Sequence, residues 1–332
     1  METSHVPLGE LESITHDFLV ANGCDADNAG AITRTVIAAE RDGATSHGMF
    51  RLPGYAASLN SGKVNGASDP TVERIAPSVL RVHGDGGFVP LSLERGRQPL
   101  IDMAREQGVG VCGLVDSYHF SALWMEVEPL AEAGLCAIAM TAYKPVVAPA
   151  GSTKAFFGTN PVAFGWPRKN GPPMVFDQAS SVMARGEVML AAREGRSVPP
   201  GTGLDRNGQP TTDPQAILDG GVMLTFGGYK GSSIAMMVEL LSSALIGERF
   251  SFEAEIHDNN DGGPARGGEF LLAIDPARCG NEGGWMEHSE LFFETMLGLD
   301  GVRLPGDRRH ARRASPQDIE VPTELLNTLR SP

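Results

Sequence analysis

The chain has 332 residues, enough for two packed units of ordinary size, with a normal globular balance of 41% hydrophobic and 20% charged residues. A net charge of −14, with no basic face in the composition, speaks against a nucleic-acid surface. Cys24, Cys112, Cys136 and Cys279 show neither CxxC nor zinc spacing, which fits a reducing cytoplasm, and no apolar leader or membrane-spanning run is present.

In chain order, Leu8, Leu11, Ile14, Phe18 and Leu19 recur at helical spacing and predict a helix that stops at Gly23. Asp25 is placed to cap a second helix striped by Ala29, Ile32, Val36 and Ile37. "PSVLRVHGDGG" reads as a strand ending in a glycine-rich turn, and "PLSLERGRQPLIDMAREQG" as an amphipathic helix stopped at Gly108. "VGVCGLV" and "LCAIAMTA" are continuous apolar runs that suit buried strands, with the helix "ALWMEVEPLAEAG" between them. A turn and strand follow in "AFFGTNPVAFGWP", and "PMVFD" ends a further strand at Asp177. A helix starts near Arg185, and "REGRSVPPGTGLDRNGQPTTDP" reads as a long surface loop. "SSIAMMVELLSSALIG" predicts the longest apolar helix, buried on most sides, and 254–268 a mobile loop. "EFLLAID" is a strand and "SELFFETMLGL" a helix. The mixture makes the chain an α/β (mixed α+β) protein.

No GxGxxG follows a strand and opens a helix, and "HGDGGF" at 83–88 does not fit that pattern. "GGYKGSS" misses the P-loop spacing.

Chemistry gathers in "RDGATSHGMFRLPGY", residues 41–55. His47, between Ser46 and Gly48, is of a type that titrates near neutrality, and Arg51 four residues on would share a helical face with it and could fork onto a carboxylate. On pattern alone, a surface histidine and an arginine paired with a nearby acid serve equally well. His119 in "DSYHFSALW" stands between a strand end and a helix start, where α/β proteins bind ligands. "GTNP" at 158–161 is either a tight turn or a ligand-facing surface. Asp177 ends an apolar strand and so needs a partner: it caps a helix or orients a histidine. Lys230 lies among glycines ahead of the apolar helix, and "RLPGDRR" offers a cluster of arginines.

Taken in order, "RDGATSHGMFRLPGY", "SYHFSALW", "PAGSTKAFFGTNPVAFGWPR", "FDQASSVMARGEV", "REGRSVPPGTGLDRNGQPTTDP", "FGGYKGSSIAMMVELLSSALIG" and "LPGDRR" resemble the malate/L-lactate dehydrogenase family, whose fold is not that of Rossmann. Within it the likeness runs to reductases of cyclic ketimine acids, through "EVEPLAEAGL", "AAREGR" and "LPGDRR". The resemblance implies an NADPH-dependent enzyme, with NADH possible, that reduces Δ1-piperideine-2-carboxylate to L-pipecolate and Δ1-pyrroline-2-carboxylate to L-proline. It also implies a homodimer, with 1–115 plus 295–332 as a helical, substrate-binding and dimerisation part and 116–294 as the NADP-binding part. Carried over by motif, Ser46, His47 and Asp177 are catalytic, and Arg51 and Thr159 hold substrate. His119, Phe120, Ser121, Pro167, Arg168, Tyr229, Lys230, Leu304, Pro305, Gly306, Asp307, Arg308 and Arg309 contact cofactor. No metal is implied. Arg308 with Arg309, or Arg168 with Lys169, are the candidates for a 2′-phosphate. Lys144 stands where relatives usually carry small polar residues, which bears on substrate identity.

Three alternatives compete with this reading. A 2-hydroxy-acid dehydrogenase of the malate, lactate or ureidoglycolate type would use the same fold. A hydrolase would use Ser46, His47 and Asp177, but no GxSxG elbow is present and adjacent serine and histidine side chains usually diverge. A non-catalytic binding protein would keep the cleft alone.

Overall fold

Leu11, Phe18 and Leu19 form the buried face of a helix over Leu8–Ala21, and Ala29, Ile32, Val36 and Ile37 that of a second over Ala26–Arg41. These assignments come from a computed structural model, which describes residues 2–119, 121–279, 284–314 and 318–331. Asp25 caps the second helix by accepting from Asn28 N at 2.9 Å. Both helices share an apolar cluster with Tyr55 and with Leu325, Leu326 and Leu329 of the terminal helix Thr323–Arg330. Strand Thr3–Val6 pairs antiparallel with Ile319–Pro322, so the two ends of the chain close one lobe.

The central sheet has seven strands in the spatial order 71–76, 79–88, 109–118, 266–274, 136–141, 162–166 and 174–178. Its parallel pair is Val79–Phe88 with Val109–Tyr118, joined by helix Val89–Gln107, which Gly108 ends at φ 84°. The other neighbours run antiparallel. A Rossmann fold needs a parallel sheet with a phosphate-binding turn at its switch point. The mostly antiparallel order among the described residues is not that of a doubly wound parallel sheet, in keeping with the missing fingerprint. Helices 89–107 and Trp124–Glu132 cover the sheet through Leu93, Leu100, Val127 and Leu130. The division anticipated at 115/116 falls inside strand Val109–Tyr118.

Three expectations are corrected. The segment read as a long surface loop holds strands Gly203–Leu204 and Pro210–Thr211, which join Val222–Leu224 and Val147–Ala148 in a second, four-stranded sheet. Strands of two residues leave no periodicity to read. The apolar helix spans Tyr229–Glu239 and continues as a π segment over Leu240–Ala244. It is not buried on most sides: Met236, Leu240 and Leu245 are more than half exposed. Finally, 254–268 is no free loop. Its first turn belongs to helix Ser251–Ile256, and Asp258 and Asp261 are buried against Lys63 and Lys144.

Candidate active site

His47 and Arg51 do not lie on one continuous helical turn. Two 3₁₀ turns, Thr45–His47 and Met49–Arg51, meet at Gly48, and an α-helix begins at Leu52. The break has a local cause. Glu40, buried at the end of the second helix, accepts from Met49 N at 2.7 Å, and a Cβ on Gly48 would lie 2.3 Å from its Oε1. The bend nevertheless brings both side chains to one cleft of about 250 Å³, as the sequence predicts.

Glu40 pays for this brace with burial, which raises its carboxyl to about 7. A raised folded-state value makes its contribution to stability full below the unfolded value near 4.5, and that contribution is lost as pH rises through about 7. Glu40→Gln keeps an acceptor for Met49 N. We expect it to leave Tm unchanged near pH 4 and to raise stability near pH 8 by on the order of 1–3 kcal/mol. Thermal melts at the two pH values check this, and an equal shift at both would refute it.

Inside the cleft, His47 Nδ1 lies 3.0 Å from Ser46 Oγ. Burial first, then the charges of Arg51 and His119, lower its imidazole to about 3, so it is neutral in the free protein. Arg51 Nε donates to Ser46 O at 2.7 Å, which ties the two turns together. Gly186 lets the guanidinium lie close, since a Cβ there would be 2.5 Å from Arg51 Nη2. Arg185, at the start of helix Arg185–Arg193, faces the same space, and burial lowers both guanidiniums while the Tyr143 phenol partly offsets this. Thr159 and Pro161 flank Asn160, which sits at φ 40° with its amide donating to Ala235 O and Glu239 Oε1. That anchored turn presents Thr159 to the cleft.

His119 and Ser121 complete the wall, and Phe120 lies outside the described residues. The carboxylates around His119 come from Glu126, with Oε1 at 3.2 Å from Nε2, and from Glu269, with Oε2 at 3.6 Å. Asp177 does not hold His47. Its Oδ2 accepts from Trp124 N at 3.2 Å, capping helix 124–132, and burial followed by the charge of Glu126 raises it to about 6. The expected contact between Asp177 and His47 is thus replaced by a place behind His119, where Asp177 senses that imidazole's charge.

Lys144 does reach the cleft, but its charge is spent on Asp258 at 2.7 Å, which also binds Lys63 at 3.1 Å. The other anticipated cofactor residues are dispersed. Arg168 is paired with Glu290, next to the buried Pro167, and Lys169 with Glu287. Tyr229 and Lys230 stand exposed at the head of their helix, beside an open groove lined by Gly227 and Gly228. Leu304, Pro305 and Gly306 run along strand Met174–Gln178, Pro305 O accepting from Val175 N at 3.3 Å, and Asp307 accepts from Leu304 N. Arg309 stacks over Trp124 at 4.8 Å, whereas Arg308 is exposed and has no ion-pair partner among the described residues. Sequence reasoning missed Tyr143, Arg185, Glu126 and Glu269. Of these, Arg185 had a usable signal in its position at a helix start.

The cleft's wall carries imidazoles, hydroxyls and cations and, among the described residues, no carboxylate. That donor set suits a carboxamide-bearing ring beside a small anion, the chemistry that a nicotinamide would need of this wall. Bound there, the ring would supply or accept hydride.

A family profile described as malate/L-lactate dehydrogenase matches residues 6–330. The chain is 44% identical over 334 residues to a Δ1-pyrroline-2-carboxylate reductase of Ancylobacter novellus, covering 99% of this chain and 98% of that protein. It is 41% identical to a (2R)-3-sulfolactate dehydrogenase (NADP⁺) of Chromohalobacter salexigens, covering 98% and 97%. The crystal structure of Δ1-piperideine-2-carboxylate reductase from Pseudomonas syringae superposes with a TM-score of 0.93 at 42% identity, covering 98% of this chain and 99% of that one.

Proposed function

The chain belongs to the malate/L-lactate dehydrogenase family, and from that premise we propose that it is an oxidoreductase of cyclic ketimine acids. It reduces Δ1-piperideine-2-carboxylate to L-pipecolate and Δ1-pyrroline-2-carboxylate to L-proline with NADPH. The observation that carries this reading is the buried Arg51 guanidinium beside a neutral His47 in a cleft without carboxylates. Arg51 holds the 2-carboxylate by a forked pair of hydrogen bonds and so fixes which face of the C=N carbon meets the nicotinamide. Ser46 holds His47, and Thr159 lines the same cleft. The names of the relatives support the substrate class. With Arg168 and Lys169 committed to Glu290 and Glu287, Arg308 is the group we assign to the 2′-phosphate of NADP. We also propose a homodimer, supported by the open apolar face at Met236, Leu240 and Leu245. Among the described residues no helix is long and apolar enough to cross a membrane.

A second reading has its own observation. Arg185 places a second guanidinium beside Arg51, so the cleft carries two positive charges and suits a 2-oxo or 2-hydroxy acid bearing a second anionic group. The sulfolactate dehydrogenase relative is in keeping with it.

Both readings are tested by following NADPH oxidation with the two cyclic imines, pyruvate, oxaloacetate and 3-sulfopyruvate. We expect kcat/KM for the imines to exceed that for pyruvate at least tenfold. Preference for a dianion by the same margin would transfer the function to the second reading, and a preference for NADH would remove the role of Arg308.

A further inference from the structure

Behind the cleft lies a group of carboxyls that the reaction as described does not use. Glu269, on strand Arg266–Ile274, is 1% exposed, and among the described residues neither of its oxygens has a hydrogen-bond partner. Glu126, on helix 124–132, is 2% exposed, and its Oε2 likewise has none among the described residues. Between them stands His119, whose Nε2 lies 3.2 Å from Glu126 Oε1, 3.6 Å from Glu269 Oε2 and 3.3 Å from Ser121 Oγ. The imidazole itself lines the cleft.

Two carboxylates this close, out of water and short of donors, cannot both be ionised, because each desolvated charge opposes the other. Burial, then the charge of Glu126, hold the Glu269 carboxyl well above the usual carboxylate range. The remaining groups facing it do not reverse this. Cys112, on strand 109–118, is itself raised by burial, and Asp177, beyond Glu126 on strand 174–178, adds a further carboxyl. Arg309, on the helix after Gly306, acts on Asp177.

We propose that Glu269 is a proton-storing, positioning residue, which acts through His119 to protonate the imine nitrogen of substrate that arrives without its proton. The inference rests on the ketimine reading above. The substrate's nitrogen lone pair takes a proton from the His119 ring, and His119 Nε2 recovers one from the Glu269 carboxyl, whose Oε2 stands 3.6 Å away and closes to hydrogen-bond distance for the transfer. Hydride from the dihydronicotinamide adds to the carbon as the C=N π bond opens. Solvent returns a proton to Glu269 after product leaves. In sum, one imine, one hydride and one proton give one amine. Glu269 touches no substrate. Its part is to keep the relay filled when bulk protons are scarce.

The store matters only above the imine's own pKa, and the experiment uses that. Glu269→Gln keeps the shape but gives up the acidic proton. Its kcat with Δ1-piperideine-2-carboxylate is expected to equal wild type at acidic pH and to fall at least tenfold below it at alkaline pH, with KM moving less than twofold. Glu269→Asp should recover part of the alkaline activity. The infrared difference spectrum of the free protein, wild type minus Glu269→Gln, should show a carboxylic-acid C=O band, the contributions of Glu40 and Asp177 cancelling. If Glu269→Gln does not fold, Glu126→Gln is expected to lower the alkaline limb in the same way. A variant that follows wild type at all pH values overturns the proposal, and so does one reduced equally at all of them or one that keeps the infrared band. Failure of wild type to reduce any cyclic imine sinks the ketimine reading instead.

Discussion

Arg51→Ala should lower kcat/KM for Δ1-piperideine-2-carboxylate by about 10²–10³-fold. The size follows from losing a buried, charge-assisted contact to a carboxylate, roughly 2–5 kcal/mol when one partner is truncated. Burial lowers the Arg51 guanidinium, the Tyr143 and Tyr55 phenols partly offset this, and the charge of Arg185 adds to the lowering. Arg51→Lys keeps the charge without the fork and should recover little of the kcat, because orientation as much as attraction is lost. Steady-state kinetics on each variant decide the matter. If Arg51→Ala reduces the imine as fast as wild type, the carboxylate sits elsewhere, with Arg185 the next candidate.

Much of the frame was legible because it rests on local physics. Apolar spacing, the Asp25 cap and the Gly108 stop fix three helices from residues a few positions apart. The placing of His47, Arg51, His119, Ser121 and Thr159 on one cleft was likewise in reach, since each stands in a turn between elements. What the sequence hid depends on distant partners. Glu269 in "GGEFLLAID" looks like the polar face of a half-exposed strand, yet that strand is central in the sheet, between 109–118 and 136–141, and both its faces are covered. Glu126 resembles any acid in the first turn of a helix until the sheet brings His119 against it. Asp177 was expected to cap or to orient, and it caps. The helix it caps starts at Trp124, 53 residues earlier, and no spacing rule reaches that far. In the same way, 254–268 reads as free chain because its acids look solvated, whereas Lys63 and Lys144 neutralise them inside the protein.

The two substrate classes make opposite demands on His47, and His47→Ala is expected to separate them. Reducing a 2-oxo acid leaves an alkoxide that must be protonated as it forms, and general-acid help there is worth about 10²–10⁴-fold. A cyclic imine is basic and can carry its proton into the site, so hydride addition then yields the neutral amine with no further acid. His47 is poorly prepared to donate in the free protein: at about 3 its imidazole is neutral, because burial and the charges of Arg51 and His119 oppose protonation. A substrate carboxylate on Arg51 cancels one of those charges and adds a negative one nearby, both of which raise the imidazole towards the range where it can serve as an acid. His47→Ala should therefore lose about 10²–10⁴-fold in kcat on pyruvate or oxaloacetate and less than about tenfold on Δ1-piperideine-2-carboxylate at acidic pH. In wild type, oxo-acid reduction should decline as pH rises, since its acid must be protonated in the bound state, and that dependence should vanish in His47→Ala. Equal losses on both substrates would mean that His47 shapes the cleft without moving a proton, leaving proton delivery to His119.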